Sequence, residues 1–226
     1  MVRISTKYHV DKSLLPAFFT FLFTVIFAWQ FTASQAHAAT KSTPKLLALG
    51  DSLTAGYGLP PGDGFADKLQ EALLQKGHDV IVLNGGVSGD TTKGGLARLD
   101  WMLAERPDLA MVALGGNDLL RGLSPEQSYD NLKAILQRFQ DEAIPVLLAG
   151  MRAPLNMGAE FQQAFDGLYV TLADEFDVIF FPFFLQDVAL VNELNQPDGL
   201  HPNQAGVDVM VNNILPYVEQ LVKKSQ

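Results

Sequence analysis

KLLALGDSLTAGYG, residues 45–58, passes from an unbroken apolar run into Gly50, Asp51 and Ser52 and then into a turn rich in glycine. A run without polar alternation, Lys45 to Leu49, reads as a strand covered on both faces, which is the habit of parallel sheets. Four similar runs follow at Val80 to Leu83, Leu109 to Leu114, Pro145 to Ala149 and Val178 to Phe181. The stretches between them have helical character: about Gly64 to Lys76, Thr92 to Glu105, Pro125 to Glu142 and Gly158 to Glu175, with a last helix from Asn203 to Lys224. Ser124, Pro125 and Gln127 form a capping box with proline in the first turn. Strand and helix alternate throughout, so the expected architecture is one α/β domain, an open doubly wound sheet with right-handed crossovers.

The front of the chain reads differently. Arg3, Lys7 and Lys12 precede the apolar run Leu14 to Phe31, and Ala36-His37-Ala38 follows as a small-residue site. That order is the order of an export signal, with cleavage expected after Ala38 and a domain covering 39–226. The apolar run approaches the length of a membrane span, so an uncleaved anchor is the competing reading. The polar stretch Thr32 to Gln35 favours cleavage, and therefore a periplasmic or secreted protein with no stable membrane insertion. The 226 residues include no cysteine, which removes disulfides, thiolate metal sites, a lipidated cysteine anchor and a cysteine nucleophile.

Charge narrows the partners. Residues 1–38 hold three of the 16 lysines and arginines and one of the 25 acidic residues, so the remainder carries −11 where the whole chain carries −9. Such a surface repels nucleic acid and polyanionic substrates at long range. Nothing demands association, and a monomer is expected.

Open α/β sheets bind ligands beyond the carboxyl ends of their strands. The loops there read Gly50-Asp51-Ser52-Leu53, Asn84 to Asp90, Gly115-Gly116-Asn117-Asp118 and Gly150 to Pro154, and Asp198-Gly199-Leu200-His201-Pro202 precedes the final helix. A serine becomes nucleophilic when a base takes its proton and a third group orients the base. Ser52 fits the first role and His201 the second. Asp198, three residues earlier, reaches the other imidazole nitrogen across one turn. Only His78 and His201 remain after residue 38, and His78 lies before a strand, at the wrong end of the sheet. The amides of Ser52 and Gly89 and the side chain of Asn117 are candidate donors to an oxyanion. Asp51 and Asp118 read as holders of their loops, and Gly85, Gly86, Gly115 and Gly116 as sites of close backbone packing. Met151, Arg152, Leu155 and Met157, after the fourth strand, are candidates for contact with substrate, methionine being suited to acyl chains of varied shape. Phe183 and Phe184, after the fifth strand, either line the same acyl-chain groove or pack in the core, and packing is the preferred reading for both.

GDSLTAGYGL at 50–59, GVSGDTT at 86–92, GGND at 115–118 and DGLHP at 198–202 resemble the four sequence blocks of the SGNH (GDSL) hydrolases, in their order. The likeness runs from about Lys45 to the C-terminus and is greatest to the exported bacterial thioesterases, lysophospholipases and arylesterases of that family. The resemblance implies a flavodoxin-like three-layer sandwich around a five-stranded parallel sheet. It also implies Ser52, Asp198 and His201 as the triad and Ser52, Gly89 and Asn117 as the oxyanion hole. It points to a small or lipid-derived ester or thioester as substrate, and no cofactor or metal is expected. Acyl-CoA, a cytoplasmic polyanion, ranks below neutral esters for an exported acidic protein. Two rival readings exist: a flavodoxin-like exported binding module without catalysis, and a metal-dependent phosphoesterase built on Asp51, Asp90, Asn117, Asp118 and His201. A single usable histidine argues against the latter.

Overall fold

A computed structural model describes residues 43–224. The expected export signal and its cleavage after Ala38 lie outside the described residues. Five strands, β1 (Lys45–Gly50), β2 (Ile81–Gly86), β3 (Leu109–Ala113), β4 (Val146–Ala149) and β5 (Ile179–Phe181), form one parallel sheet in the order β2-β1-β3-β4-β5. The eight α-helices among the described residues are α1 (Ser52–Ala55), α2 (Phe65–Gln75), α3 (Thr92–Ala97), α4 (Leu99–Leu103), α5 (Gly116–Leu120), α6 (Pro125–Asp141), α7 (Ala159–Phe176) and α8 (Gln204–Lys223). Contacts join α2 to α8 and, as a separate set, α3 to α6 and α6 to α7, giving the expected three layers.

The apolar runs are buried for the reason their composition gives: Leu46, Leu47, Leu49, Met111, Val112, Leu147 and Leu148 are fully enclosed between the helical layers. β2 departs from the expectation of a strand covered on both faces. It is an edge strand, with Ile81 exposed and Val82 and Leu83 half-buried, because nothing pairs with its outer side. It is also longer than its apolar run, since Asn84, Gly85 and Gly86 pair with Ala48, Leu49 and Gly50. The single helix expected over 92–105 is two, α3 and α4, broken at Arg98, where the backbone leaves helical geometry. The Arg98 side chain turns inward to Asp90 Oδ2 at 2.6 Å and to the Gly50 carbonyl at 2.9 Å, which ties this break to the end of β1.

The order of the strands fixes where a ligand belongs. β1 lies inside the sheet, with β2 added on one side of it and β3, β4 and β5 on the other, so the connections from β1 and β3 diverge and leave a crevice at their carboxyl ends. The short helices α1 and α5 start there, immediately after β1 and β3. The expected cap of α6 is present, with Ser124 Oγ accepting from the Gln127 N–H at 3.4 Å and Pro125 in the first turn.

Candidate active site

β1 delivers Asp51 and Ser52 to the crevice. Asp51 caps α1, its Oδ1 accepting the Leu53 N–H at 3.0 Å, and Ser52 occupies the first helical position. An N–H at that position has no carbonyl one turn back to receive it. Close approach of α1 to β2 depends on Gly86: a Cβ there would lie 2.3 Å from the backbone nitrogen of Ala55.

The Asp198–Pro202 loop supplies the imidazole. Asp198 Oδ1 accepts the N–H groups of Leu200 (2.9 Å) and His201 (3.0 Å), while Oδ2 meets His201 Nδ1 at 2.7 Å. The backbone N–H of His201, then its ring, then the Leu200 N–H hold the Asp198 carboxyl down at about 2. An ionised Asp198 keeps the proton on Nδ1, which leaves Nε2 free to accept. Nε2 lies 3.0 Å from Ser52 Oγ. Ser52, His201 and Asp198 thus stand in one hydrogen-bonded row.

Asn117, on α5, donates from Nδ2 to Asp51 Oδ2 at 3.2 Å and to the Asp90 carbonyl at 3.0 Å. Its amide is therefore fixed in orientation at the crevice that holds Ser52. Gly89 adopts φ +85°, a conformation that favours glycine, and its carbonyl accepts from Arg121 Nη2 at 2.6 Å. Asp51 is 1% exposed, and burial pushes its carboxyl up to about 6 against the opposing pull of the Leu53 N–H, the His201 charge and Asn117. Asp118 is enclosed too, accepting from the N–H and hydroxyl of Thr92 (2.8 and 2.6 Å) and from Ser128 Oγ (3.1 Å). Both aspartates hold loops, as read from the sequence.

Ser52 and His201 open onto a groove of about 1020 Å³ that also touches Asn117, Met151, Met157, Phe183 and Leu185. Of the residues expected to meet substrate, Met151 is buried in the wall and Met157 half-buried, whereas Arg152 lies over the Phe183 ring at 5.4 Å and Leu155 is exposed at the entrance. Phe184 is core, packed edge-on to Phe65, whereas Phe183 lines the groove, so the preferred packing reading holds for Phe184 and the groove alternative for Phe183. The chain turns here, the Gln186 N–H donating to the Phe183 carbonyl at 3.0 Å and the Phe184 N–H to the Gly150 carbonyl at 2.8 Å, and the two rings part at this turn. His78 bonds Glu219 at 3.1 Å on the loop entering β2.

Several residues of the site were not anticipated. The Tyr57 ring packs against the His201 ring at 4.6 Å. Gln196 Nε2 donates to the carbonyls of Tyr57 (2.8 Å) and Pro202 (2.9 Å), and its N–H to the His201 carbonyl (2.7 Å), stapling the imidazole loop to the loop after α1. Glycine at 58 and proline at 202 mark these as turns, but no local signal pairs them. Among the described residues no group of three or more histidine, aspartate or glutamate side chains is arranged to hold a metal ion, Asp90 being paired with Arg98 and Asp118 with Thr92 and Ser128.

Proteins of known activity share this architecture. Esterase TesA of Pseudomonas aeruginosa is 40% identical over 178 residues, covering 78% of this chain and 89% of its own length. Thioesterase 1/protease 1/lysophospholipase L1 of Escherichia coli K12 is 40% identical over 185 residues, 81% of this chain and 83% of that one. The crystal structure of AlinE4, an SGNH-hydrolase family esterase, superposes with a TM-score of 0.68 at 47% identity, over 79% of this chain and 96% of the other. With residues 48–209 matching the pattern of the GDSL-like lipase/acylhydrolase family as well, the chain belongs to that family, the SGNH hydrolases that its four sequence blocks resemble.

Proposed function

We propose that Ser52 is the nucleophile, His201 the general base and Asp198 the orienting carboxylate of a carboxylic ester hydrolase, the activity class in which its family and relatives put this chain. The observation that carries the reading is the continuous row Asp198 Oδ2, His201 Nδ1, His201 Nε2 and Ser52 Oγ, with spacings of 2.7 and 3.0 Å. In the first step Ser52 Oγ adds to the ester carbonyl carbon while its proton passes to Nε2. The oxyanion is received by the N–H groups of Ser52 and Gly89 and by Asn117 Nδ2, which gives up a neutral carbonyl partner for a charged one. Collapse breaks the bond to the alcohol oxygen, which leaves with the proton from Nε2. Water, deprotonated by His201, then releases the acid and restores Ser52.

The apolar groove beside Ser52 favours acyl chains, and Met151, Met157, Leu155 and Phe183 are the residues that meet them. Arylesters, lysophospholipids and thioesters are substrates of the class. Arg152, at the entrance, is suited to a polar headgroup. The protein is exported, loses residues 1–38, and works as a monomer, since one chain holds every group the mechanism uses. A hydrolysis panel of p-nitrophenyl esters, lysophospholipids and acyl-CoAs tests this alongside Ser52→Ala. That variant is expected to keep its fold and lose turnover on every substrate; turnover retained by Ser52→Ala removes Ser52 from its role.

A further inference from the structure

Large apolar side chains are unevenly distributed over the exterior. Of the eleven that stand well exposed among the described residues, five line the groove: Tyr57, Leu120, Leu155, Leu190 and Leu200. Each comes from a different segment at the carboxyl edge of the sheet, after β1, β3, β4 and β5 and before α8. Leu155 is 83% exposed and Leu190 92%, so neither is placed there by packing. Leu190 also holds φ +65°, a left-handed conformation that is unfavourable for a branched side chain. The fold thus keeps a leucine in strain and in water at the rim of its groove, where asparagine or glycine would relieve both.

Charge is distributed in the complementary way. Residues 39–226 carry −11, yet the one acidic residue lining the groove is Asp51, which is enclosed, and Arg152 is the lining residue with a permanent positive charge. With Asp51 enclosed and offset by Arg152, the mouth is a window without net charge in an acidic body.

We propose that this rim seats the groove on the surface of a zwitterionic monoacyl-lipid aggregate, so that the acyl chain passes from aggregate to groove without crossing water. The inference rests on the ester-hydrolase reading and deepens it. An apolar rim of leucines with a tyrosine among them suits the boundary between headgroups and chains. A strongly anionic surface is disfavoured by the charge of the body, whereas a zwitterionic one presents phosphate to Arg152 without net repulsion. A second copy of the chain on the same face would close the entrance through which substrate must come.

The test compares wild type with the double variant Leu120→Gln/Leu190→Asn, both positions being outside the proposed acyl contacts. Asparagine tolerates the left-handed backbone at 190 and glutamine suits a helix end, so the thermal midpoint is expected to hold or rise. Hydrolysis of lysophosphatidylcholine is followed through its critical micelle concentration, and hydrolysis of a short, freely soluble p-nitrophenyl ester is measured beside it. Wild type is expected to gain rate when micelles form, and the variant to lose at least about tenfold of that micellar rate while keeping its rate on the soluble ester. Co-sedimentation of Ser52→Ala protein with phosphatidylcholine vesicles, lost in Ser52→Ala/Leu120→Gln/Leu190→Asn, is the binding counterpart. A wild type indifferent to micelle formation overturns the proposal, as does a variant that loses both rates alike. A concentration-dependent dimer in sedimentation velocity that the variant abolishes gives the rim to a second copy instead. No hydrolysis of either substrate by wild type tells against the ester-hydrolase reading, whereas soluble-ester turnover without a micellar gain rejects the docking alone.

Discussion

The two histidines of residues 39–226 have opposite surroundings, and their substitutions separate chemistry from structure. His201 lies between Asp198 and Ser52, so His201→Ala removes the proposed proton acceptor and is expected to lower kcat by about 10⁴- to 10⁶-fold. His78 meets only Glu219 in a part-exposed pair, and His78→Ala is expected to leave kcat unchanged; an equal loss in both variants contradicts the assignment. Asp51 gives a pH signature of a different kind. Its folded carboxyl titrates at about 6 against an ordinary value of 3.8. Between those values the native state holds a proton that the unfolded chain has released, so stability falls as pH rises through the window. Above it the buried charge costs roughly 3 kcal/mol, about two pKa units at 1.4 kcal/mol each. Denaturant titrations of Asp51→Asn and wild type at pH 4 and pH 7.5 should show the variant gaining on wild type by up to that amount at the higher pH; a pH-independent difference denies the buried charge. Ser52, Asp198 and His201 were legible because each sits in a short motif whose chemistry is local. Tyr57 and Gln196 were not, because the contact joining them spans 139 positions and exists only once the sheet brings the loops after α1 and before α8 together.

The elements of this fold were legible in proportion to their apolar content. All five strands follow their apolar runs, and α2, α6, α7 and α8 fall within a residue or two of expectation. What the pattern hid are features set by tertiary contact: the open edge of β2, the break at Arg98, and α1 and α5, which are too short to carry a period. Position 86 tests how tightly α1 is placed. Alanine there would drive its Cβ to 2.3 Å from Ala55 N and 2.7 Å from Ala55 Cα, both backbone atoms that cannot swing aside. Gly86→Ala is therefore expected to cost ~1–3 kcal/mol of stability and to displace Ser52 from His201, lowering kcat more than it raises KM. Chemical denaturation and steady-state kinetics on a soluble ester read the two effects. A variant as stable and as active as wild type means that α1 adjusts freely, and with it that Ser52 is not held by the packing of α1 on β2.

At the scale of the whole molecule the relevant quantity is charge. The domain bears −11 after residue 38, and no single residue near Ser52 reproduces that field, since Asp51 and Arg152 offset each other in the groove's own lining. An approaching acyl-CoA, itself a polyanion, meets repulsion from the body before it meets Arg152 at the entrance. A p-nitrophenyl ester of the same acyl chain carries no charge and meets neither. Salt separates the two cases, because the Debye length shrinks from about 30 Å at 0.01 M to about 8 Å at 0.15 M and so removes the long-range part while leaving contacts inside the groove nearly intact. The ratio of kcat/KM at 0.15 M to that at 0.01 M is therefore expected to be several-fold above one for acyl-CoA and close to one for the neutral ester. A ratio below one for acyl-CoA would mean that Arg152 and Arg121 outweigh the body and draw anions in. In that case the ranking of neutral esters above coenzyme A thioesters, which rests on the net charge, must be reversed.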